Sequence, residues 1–441
     1  MEPWRAFFAG KKVTLMGLGL LGRGIGDAAF IAGLGADLTV TDLKPEEKLA
    51  PALEQLKGLT NIRYVLGHHD PADFVSADMI IKAAGVPLGS PCIEEAHKAG
   101  VPVYMSTALF AKFAIEAGAT LVGVTGTRGK STVTHLIYHT LKQARQQAGR
   151  QVHLGGNVRG LSTLAMLPDV HKGDVVVLEL DSWQLQGFGD LGISPQVAVF
   201  TNLMQDHLNY YVGMDLYFAD KAKIFTHQKP SDTLVVGEAI AKQIKAAHPP
   251  AAPQMPPHIP DSWKLKIVGE HNRQNASLAA AALRALGIDE KKIRAGLESF
   301  GGVEGRMQHL ATIKGVHIYN DNNSSTPDAV MVALNALVPL HPVTIIMGGA
   351  DKKVRLEALA HQVGQGAKRI ILLPGTGTDN LKPLLKKYDE AADIGEALKM
   401  ACKGAKAGEA ILFSPGFASF SQFANEYERN DEFVRQVKAL K

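Results

Sequence analysis

Lys130 sits in G-V-T-G-T-R-G-K-S-T, residues 123–132, between an apolar run that reads as a strand and a stretch that reads as a helix. Such a turn faces backbone N–H groups and a helix N-terminus toward one point, which favours an anion. A lysine there can reach the outer phosphates of a nucleotide, and the Ser131 hydroxyl can bind Mg²⁺. Gly126, Thr127, Arg128, Gly129 and Thr132 complete the loop. The strict pattern has glycine where this chain has Val124, so the loop is a variant. The bland alternative is a glycine-rich turn with an incidental lysine.

G-L-G-L-L-G, Gly17 to Gly22, follows the first apolar run, and Asp42 stands twenty residues further on. That is the spacing of a dinucleotide fingerprint, with a diphosphate on a helix end and an acid on a ribose. Three readings compete for it: NAD(P) in an oxidoreductase, the diphosphate of another nucleotide, or close packing of a helix on a strand. A third set lies just beyond apolar β-branched runs: Glu179 and Asp181 after V-V-V-L, and Asn202, Asp206 and His207 after V-A-V-F-T. Ligands of open α/β sheets gather at the carboxyl ends of strands. A carboxylate and a histidine there suit Mg²⁺ or substrate; singly, each reads as a helix cap or a surface group.

The elements that must hold these groups alternate between short apolar runs and helical periodicity, the βαβ signature of parallel sheets. Strands are expected at 12–16, 38–41, 79–84, 101–105, 120–125, 175–180, 197–201, 263–268, 316–320, 343–347, 369–373 and 411–414. The fold class is α/β in three domains: a Rossmann-like domain at 1–108, a central domain of P-loop type at 109–302 and a second Rossmann-like domain at 303–441. Six prolines fall within residues 249–260, which read as an exposed extended loop inside the central domain.

Composition narrows the class. The 441 residues are 46% hydrophobic and 20% charged, enough for large cores and against disorder. A net charge of +4 is too balanced to argue for nucleic acid or membrane binding. Cys92 and Cys402 form no metal or disulfide framework. No apolar run is long enough to span a bilayer, and M-E-P-W-R does not open like a signal peptide. A cytoplasmic enzyme is expected.

The chain resembles the Mur ligases, ATP-dependent amide ligases of peptidoglycan precursor synthesis. The likeness spans nearly its whole length. It rests on G-L-G-L-L-G, G-T-R-G-K-S-T, G-G-N, L-E-L-D-S-W-Q-L, T-N-L-M-Q-D-H-L, D-K-A-K-I-F, G-E-H-N-R-Q-N, E-G-R-M-Q, N-D-N-N-S-S-T, G-G-A-D-K and S-P-G-F-A-S-F-S-Q-F, in family order. Within the family it is most similar to the branch that adds D-glutamate to UDP-N-acetylmuramoyl-L-alanine through an acyl phosphate, giving ADP and phosphate. The resemblance implies UDP contacts at Leu20, Leu21, Asp42 and Lys44, with Asn157 and His207 along the substrate. It implies ATP contacts at Lys130 and its loop, Asn272, Asn275, Arg306 and Asp321. Mg²⁺ would be served by Ser131, Glu179, His207 and Lys221, the last as a carbamylated lysine. Lys352, Ser414 and Phe420 match the glutamate-binding positions. A monomer is expected, with UDP-N-acetylmuramoyl-L-alanine and glutamate as small-molecule partners, no nucleic acid and no membrane insertion. Three positions depart from the pattern: Arg128 replaces an Asn, Asp181 a Ser, and Asn323 the Lys of N-D-S-K. They leave room for L-glutamate, or for a relative of the poly-γ-glutamate synthases, which share an arginine in this loop.

Overall fold

The structure, a computed structural model, describes residues 2–440 apart from 21, 88, 146–149, 207–209, 420, 421 and 424. The expected roles of Leu21, His207 and Phe420 therefore lie outside the described residues. Three sheets account for the described strands. The first is parallel, in the order β3-β2-β1-β4-β5, with β1 Lys12–Met16, β2 Asp37–Asp42, β3 Ile62–Leu66, β4 Met79–Lys82 and β5 Val103–Tyr104. The second is also parallel, in the order β11-β10-β9-β6-β8-β7. Its strands are β6 Thr120–Thr125, β7 Val152–Gly156, β8 Val175–Glu179, β9 Val197–Phe200, β10 Thr233–Val236 and β11 Pro253–Gln254. The third runs β12-β13-β17-β14-β15-β16, with β12 Gln308–Ile313, β13 Val316–Asn320, β14 Val343–Met347, β15 Arg369–Leu372, β16 Asp389–Glu390 and β17 Ala410–Phe413. There β12 is antiparallel to β13 and the other pairs are parallel.

The chain forms two compact units: residues 1–257 with 277–296, and residues 258–276 with 297–441. The first unit holds the first two sheets, and one apolar core extends from Trp4 to Ala251 through both. The third sheet buries both faces, as parallel sheets do. Val343, Ile345, Met347, Ala410 and Leu412 pack on one side, while Ile346, Ile411 and Phe413 pack on the other. This strict alternation follows from the two-residue period of a strand. Phe413 stacks on Phe433 of the helix Glu426–Lys438 at 4.3 Å between centroids.

One expected strand does not form. Residues 263–268 carry no strand, although Trp263 and Ile267 are buried. The backbone donors here are spent locally: the Trp263 N–H bonds the Pro260 carbonyl, and the Lys264 N–H bonds Glu298 Oε1. Alternation in W-K-L-K-I-V reports burial of one face without sheet pairing. The proline-rich stretch does contribute a strand, the two-residue β11. It lies at the sheet edge, where the missing N–H of Pro253 is tolerated. No helix among the described residues is long and apolar enough to cross a membrane.

Candidate active site

In the first unit, β6 ends at Thr125, and the helix Lys130–Arg145 begins five residues later. Gly126 has φ +138°, and a Cβ there would lie 2.0 Å from Thr201 Oγ1. Only glycine lets the loop pass this close to the end of β9. Thr201 and Asn202 then staple it. The Thr201 hydroxyl donates to the Arg128 carbonyl at 2.6 Å, and Asn202 Oδ1 accepts from the Arg128 N–H at 2.9 Å. The Thr127 N–H donates to the Asn202 carbonyl at 3.0 Å. Two loop amides thus face Asn202, which leaves the turn from Gly129 into the helix N-terminus as the candidate anion cradle. Thr127 is buried, and its hydroxyl bridges to Met204 and lies 3.4 Å from the Tyr217 hydroxyl.

Lys130 folds over this loop, donating to the Gly126 and Thr127 carbonyls at 3.0 Å each. Ser131 is buried in the first turn of the same helix. Lys221 enters from the helix Met214–Thr226 and donates to the same Gly126 carbonyl at 2.9 Å. It is 1% exposed, and its ammonium lies 4.7 Å from the centroid of the Tyr217 ring. Burial, then the charge of Lys130, bring its pKa down to about 7, against the pull of Asp181, Asp206 and Asp220. A solvated helix lysine would show neither the burial nor the shift.

Glu179 is buried at the last position of β8, in register with Val124 of β6 and Gly156 of β7. Its carbonyl accepts from the Asn157 N–H at 2.7 Å. Asn157 Oδ1 accepts from Arg23 at 2.9 Å, which links the turn after β7 to the helix following G-L-G-L-L-G. Asp181 is a helix cap, forming a capping box with Gln184. The acid of the fingerprint is likewise engaged with backbone: the Asp42 carboxylate accepts from the Gly19 and Lys44 N–H groups at 3.0 and 2.9 Å. It shapes the glycine turn from beneath. Leu20, at the tip, is half exposed, and the Lys44 ammonium lies 3.9 Å from Asp42.

The second unit gathers a separate set. Asp321 follows β13 and is buried; it accepts from the Ser414 hydroxyl at 2.8 Å and the Met307 N–H at 3.0 Å. Burial pushes its carboxyl up to about 6, against the hydrogen bonds and the nearby Arg306. Thus one expected nucleotide contact, Asp321, and one expected glutamate contact, Ser414, hold each other. Arg306 is exposed beside them. Lys352 donates to the Ser325 hydroxyl at 2.8 Å. Asn323 packs on Gly305, whose carbonyl accepts its N–H. Asn272 and Asn275 are buried on one face of the helix Glu270–Ala285; Asn275 Nδ2 donates to Asn272 Oδ1, and Asn272 Nδ2 to the Val268 carbonyl. One group escapes sequence reading altogether. Arg429 is 2% exposed and bonds Asn322 Oδ1, the Asn322 carbonyl and the Phe417 carbonyl. Burial lowers its pKa to about 10.

Among the described residues, no group of three or more His, Cys, Asp or Glu side chains could hold a metal. Mg²⁺ does not require one: it keeps several waters and binds through one or two carboxylates plus substrate phosphates. The buried Ser131 hydroxyl and Glu179 carboxylate are hard oxygen donors of the right kind.

Three family models match in chain order: "Mur ligase MurD-like, N-terminal domain" over residues 11–105, "Mur ligase middle domain" over 124–255 and "Mur ligase, glutamate ligase domain" over 305–417. The chain is 33% identical to the UDP-N-acetylmuramoylalanine--D-glutamate ligase of Roseiflexus sp. (strain RS-1), covering 98% of this chain and 99% of that protein. It is 32% identical to the ligase of the same name from Desulfatibacillum aliphaticivorans, over 98% and 99%. Among solved structures it is similar to the UDP-N-acetylmuramate-alanine ligase of Thermotoga maritima, at TM-score 0.61 and 20% identity over 98% and 100% of the two chains. It is also similar to the MurF ligase of Thermotoga maritima in complex with ADP, at TM-score 0.59 and 17% identity over 91% and 95%; at these identities the two structures speak for the fold alone. With full-length relatives above 30% identity and family models along all three sheets, the chain belongs to the Mur ligase family.

Proposed function

We propose that the protein is an ATP-dependent amide ligase that adds D-glutamate to UDP-N-acetylmuramoyl-L-alanine, releasing ADP and phosphate. The observation that carries this reading is the full-length likeness to D-glutamate ligases at 33% identity, in a chain whose Lys130 and Lys221 both donate to one phosphate-type loop. A carboxylate is a poor electrophile. Attack of its oxygen on the γ-phosphorus of ATP breaks the bond to ADP and gives an acyl phosphate. The amine of glutamate then attacks the carbonyl carbon, loses a proton, and phosphate departs with the C–O electron pair.

Such transfer needs positioning and neutralised charge more than covalent help. Lys130 and the helix N-terminus at Ser131 supply positive potential for the phosphates. Glu179, Ser131, His207 and Lys221 would hold Mg²⁺, which offsets phosphate charge when bound. Lys221 serves best as a carbamate: CO₂ adds to the neutral amine with loss of a proton, and a pKa of about 7 makes that amine available. Asn157 and His207 are assigned to the muramoyl substrate, and Leu20, Leu21, Asp42 and Lys44 to its UDP. Asn272, Asn275, Arg306 and Asp321 are assigned to the nucleotide, and Lys352, Ser414 and Phe420 to glutamate. By role the chain divides at 1–108, 109–302 and 303–441, and acts in the cytoplasm as a monomer.

Mass spectrometry of UDP-N-acetylmuramoyl-L-alanine incubated with ATP, Mg²⁺ and either enantiomer of glutamate tests the reading. The expected product gains one D-glutamate residue with one phosphate released. Preferred use of L-glutamate, or chains of several glutamates, would overturn it in favour of another branch of the family.

A further inference from the structure

Three histidines gather on the third sheet, away from the residues assigned above. His309 lies on the edge strand β12, His317 on its antiparallel neighbour β13, and His341 two residues before β14. His309 and Thr312 are three residues apart, so a regular strand would send them to opposite faces. The register shifts between His309 and Ala311, where Leu310 is the extra residue. That bulge returns both side chains to one face, a way in which bulges re-aim side chains. Thr312 stands directly opposite His317, and His309 opposite Tyr319.

Their polar atoms converge. Thr312 Oγ1 lies 3.1 Å from His309 Nε2 and 3.1 Å from His317 Nδ1, and the two nitrogens are 3.4 Å apart. Three donors at these separations form a nearly equilateral triangle. Ligands at about 2.0–2.1 Å from a tetrahedral metal lie roughly 3.3 Å from one another, so the triangle already has the size of one face of such a polyhedron. The rings are braced. His309 packs edge-on against Tyr319 at 5.2 Å, and His341 lies 4.6 Å from His317 between centroids. His341 Nδ1 lies 2.9 Å from the Gly408 carbonyl; as donor in that bond it leaves the lone pair on Nε2, the state in which imidazole ligates.

We propose that His309, His317 and Thr312 form a binding site for a borderline divalent transition metal, of the Zn²⁺, Ni²⁺ or Cu²⁺ class. Imidazole selects these ions over Mg²⁺ and Ca²⁺, which take oxygen ligands. Two imidazoles and a hydroxyl fall short of a closed structural set, so water fills the remaining positions and the ion exchanges. A bound ion ties the edge strand β12 to β13 across its bulge and stabilises the native state by mass action.

Calorimetric titration of the full-length protein with Zn²⁺, compared with His309→Ala and His317→Ala, tests the site. The expected result is one Zn²⁺ site of wild type that weakens at least tenfold in each variant, while ligation in Mg²⁺ stays at the wild-type rate. Thr312→His, which adds a third imidazole, is expected to tighten that site at least tenfold. Should His317→Ala lose its fold by circular dichroism, His309→Gln, at an exposed position, carries the same test. Isotherms in the His309 variants that match wild type would overturn the proposal, as would the absence of any Zn²⁺ site in the wild-type protein.

Discussion

Lys130 and Lys221 donate to one acceptor, the carbonyl of Gly126, at 3.0 and 2.9 Å. Burial first, and then the charge of Lys130 on the same oxygen, disfavour the ammonium form of Lys221. Lys221, 1% exposed, is drawn down to about pKa 7, while Lys130 remains half-buried above the loop. A pKa of about 7 leaves much of Lys221 as the neutral amine, the form that the proposed carbamate requires.

The sign of the Lys221 effect follows from proton counting. Its folded pKa lies below the ordinary 10.5, so between pH 7 and 10.5 the native state binds fewer protons than the unfolded chain. Stability from this group therefore rises with pH across that window, and its full destabilising cost is reached once pH has fallen to 7. Carbamate formation has the same direction. Ligation at fixed total CO₂ is expected to fall below pH 7, and Lys221→Ala to lose at least a hundredfold in kcat. Added short-chain carboxylates, occupying the carbamate's place, are expected to restore part of the rate. A Lys221→Ala enzyme of normal activity would dispose of the modified-lysine assignment.

Gly126→Ala tests the loop rather than its charges. The new methyl would sit 2.0 Å from Thr201 Oγ1, on a backbone at φ +138° that side chains rarely adopt. The loop must leave Thr201 and Asn202, carrying the shared carbonyl away from both lysines. Strain of this type costs about 1–3 kcal/mol. The expectation is a small loss in Tm and a rate loss of at least a hundredfold. A variant that ligates within a few-fold of wild type would show that the loop's path does not matter.

Lys82 offers a stability test. It closes β4, is 2% exposed, and donates to the Val86 carbonyl at 2.9 Å. Burial lowers its pKa to about 8, although Asp190, Asp181 and Asp220 favour its charge. Below pH 8 the native state carries the full cost of a buried cation, on the order of 3 kcal/mol. That cost disappears as pH rises through 8 to 10.5. Lys82→Met keeps the volume and removes the charge, but leaves the Val86 carbonyl unpaired at about 1 kcal/mol or more. Tm is expected to rise by a few degrees at pH 7 and by less at pH 10. A lower Tm at both pH values would mean that the lysine's attractions outweigh its burial.

Much of this architecture can be read from the chain because apolar runs declare buried strands. V-T-L-M, V-V-V-L and V-A-V-F stand on interior strands of parallel sheets, and the candidate site loops follow their carboxyl ends. Where one face is wet, the signal thins. β3, I-R-Y-V-L, buries only Val65, and β7 ends in two glycines, so neither reads as a strand. At 263–268 the error runs the other way, since burial of Trp263 and Ile267 imitates a strand whose donors are spent elsewhere. Motif residues are legible because their chemistry is local: a lysine before Ser-Thr in a glycine turn needs no tertiary context. Arg429 lies in E-Y-E-R-N-D-E, which reads as a solvated helix face; only the fold brings Asn322 and Phe417 to it.

Arg429 supports the final prediction. Its described partners are three neutral oxygens on two segments, Asn322 in N-D-N-N and Phe417 in S-P-G-F. The first segment carries Asp321 and Asn323, and the second carries Ser414. A guanidinium fork spans both with fixed geometry, which a lysine cannot reproduce. Its loss would leave the Asn322 and Phe417 oxygens buried without donors, at about 1–3 kcal/mol each. Arg429→Met is therefore expected to lower Tm markedly. Arg429→Lys, which keeps the charge and can satisfy part of the set, is expected to fold with a smaller loss in Tm. If the arginine positions the segment assigned above to glutamate, the lysine variant will raise KM for glutamate at least tenfold and leave KM for the UDP substrate near wild type. Equal changes in both constants would reduce Arg429 to a purely structural tie.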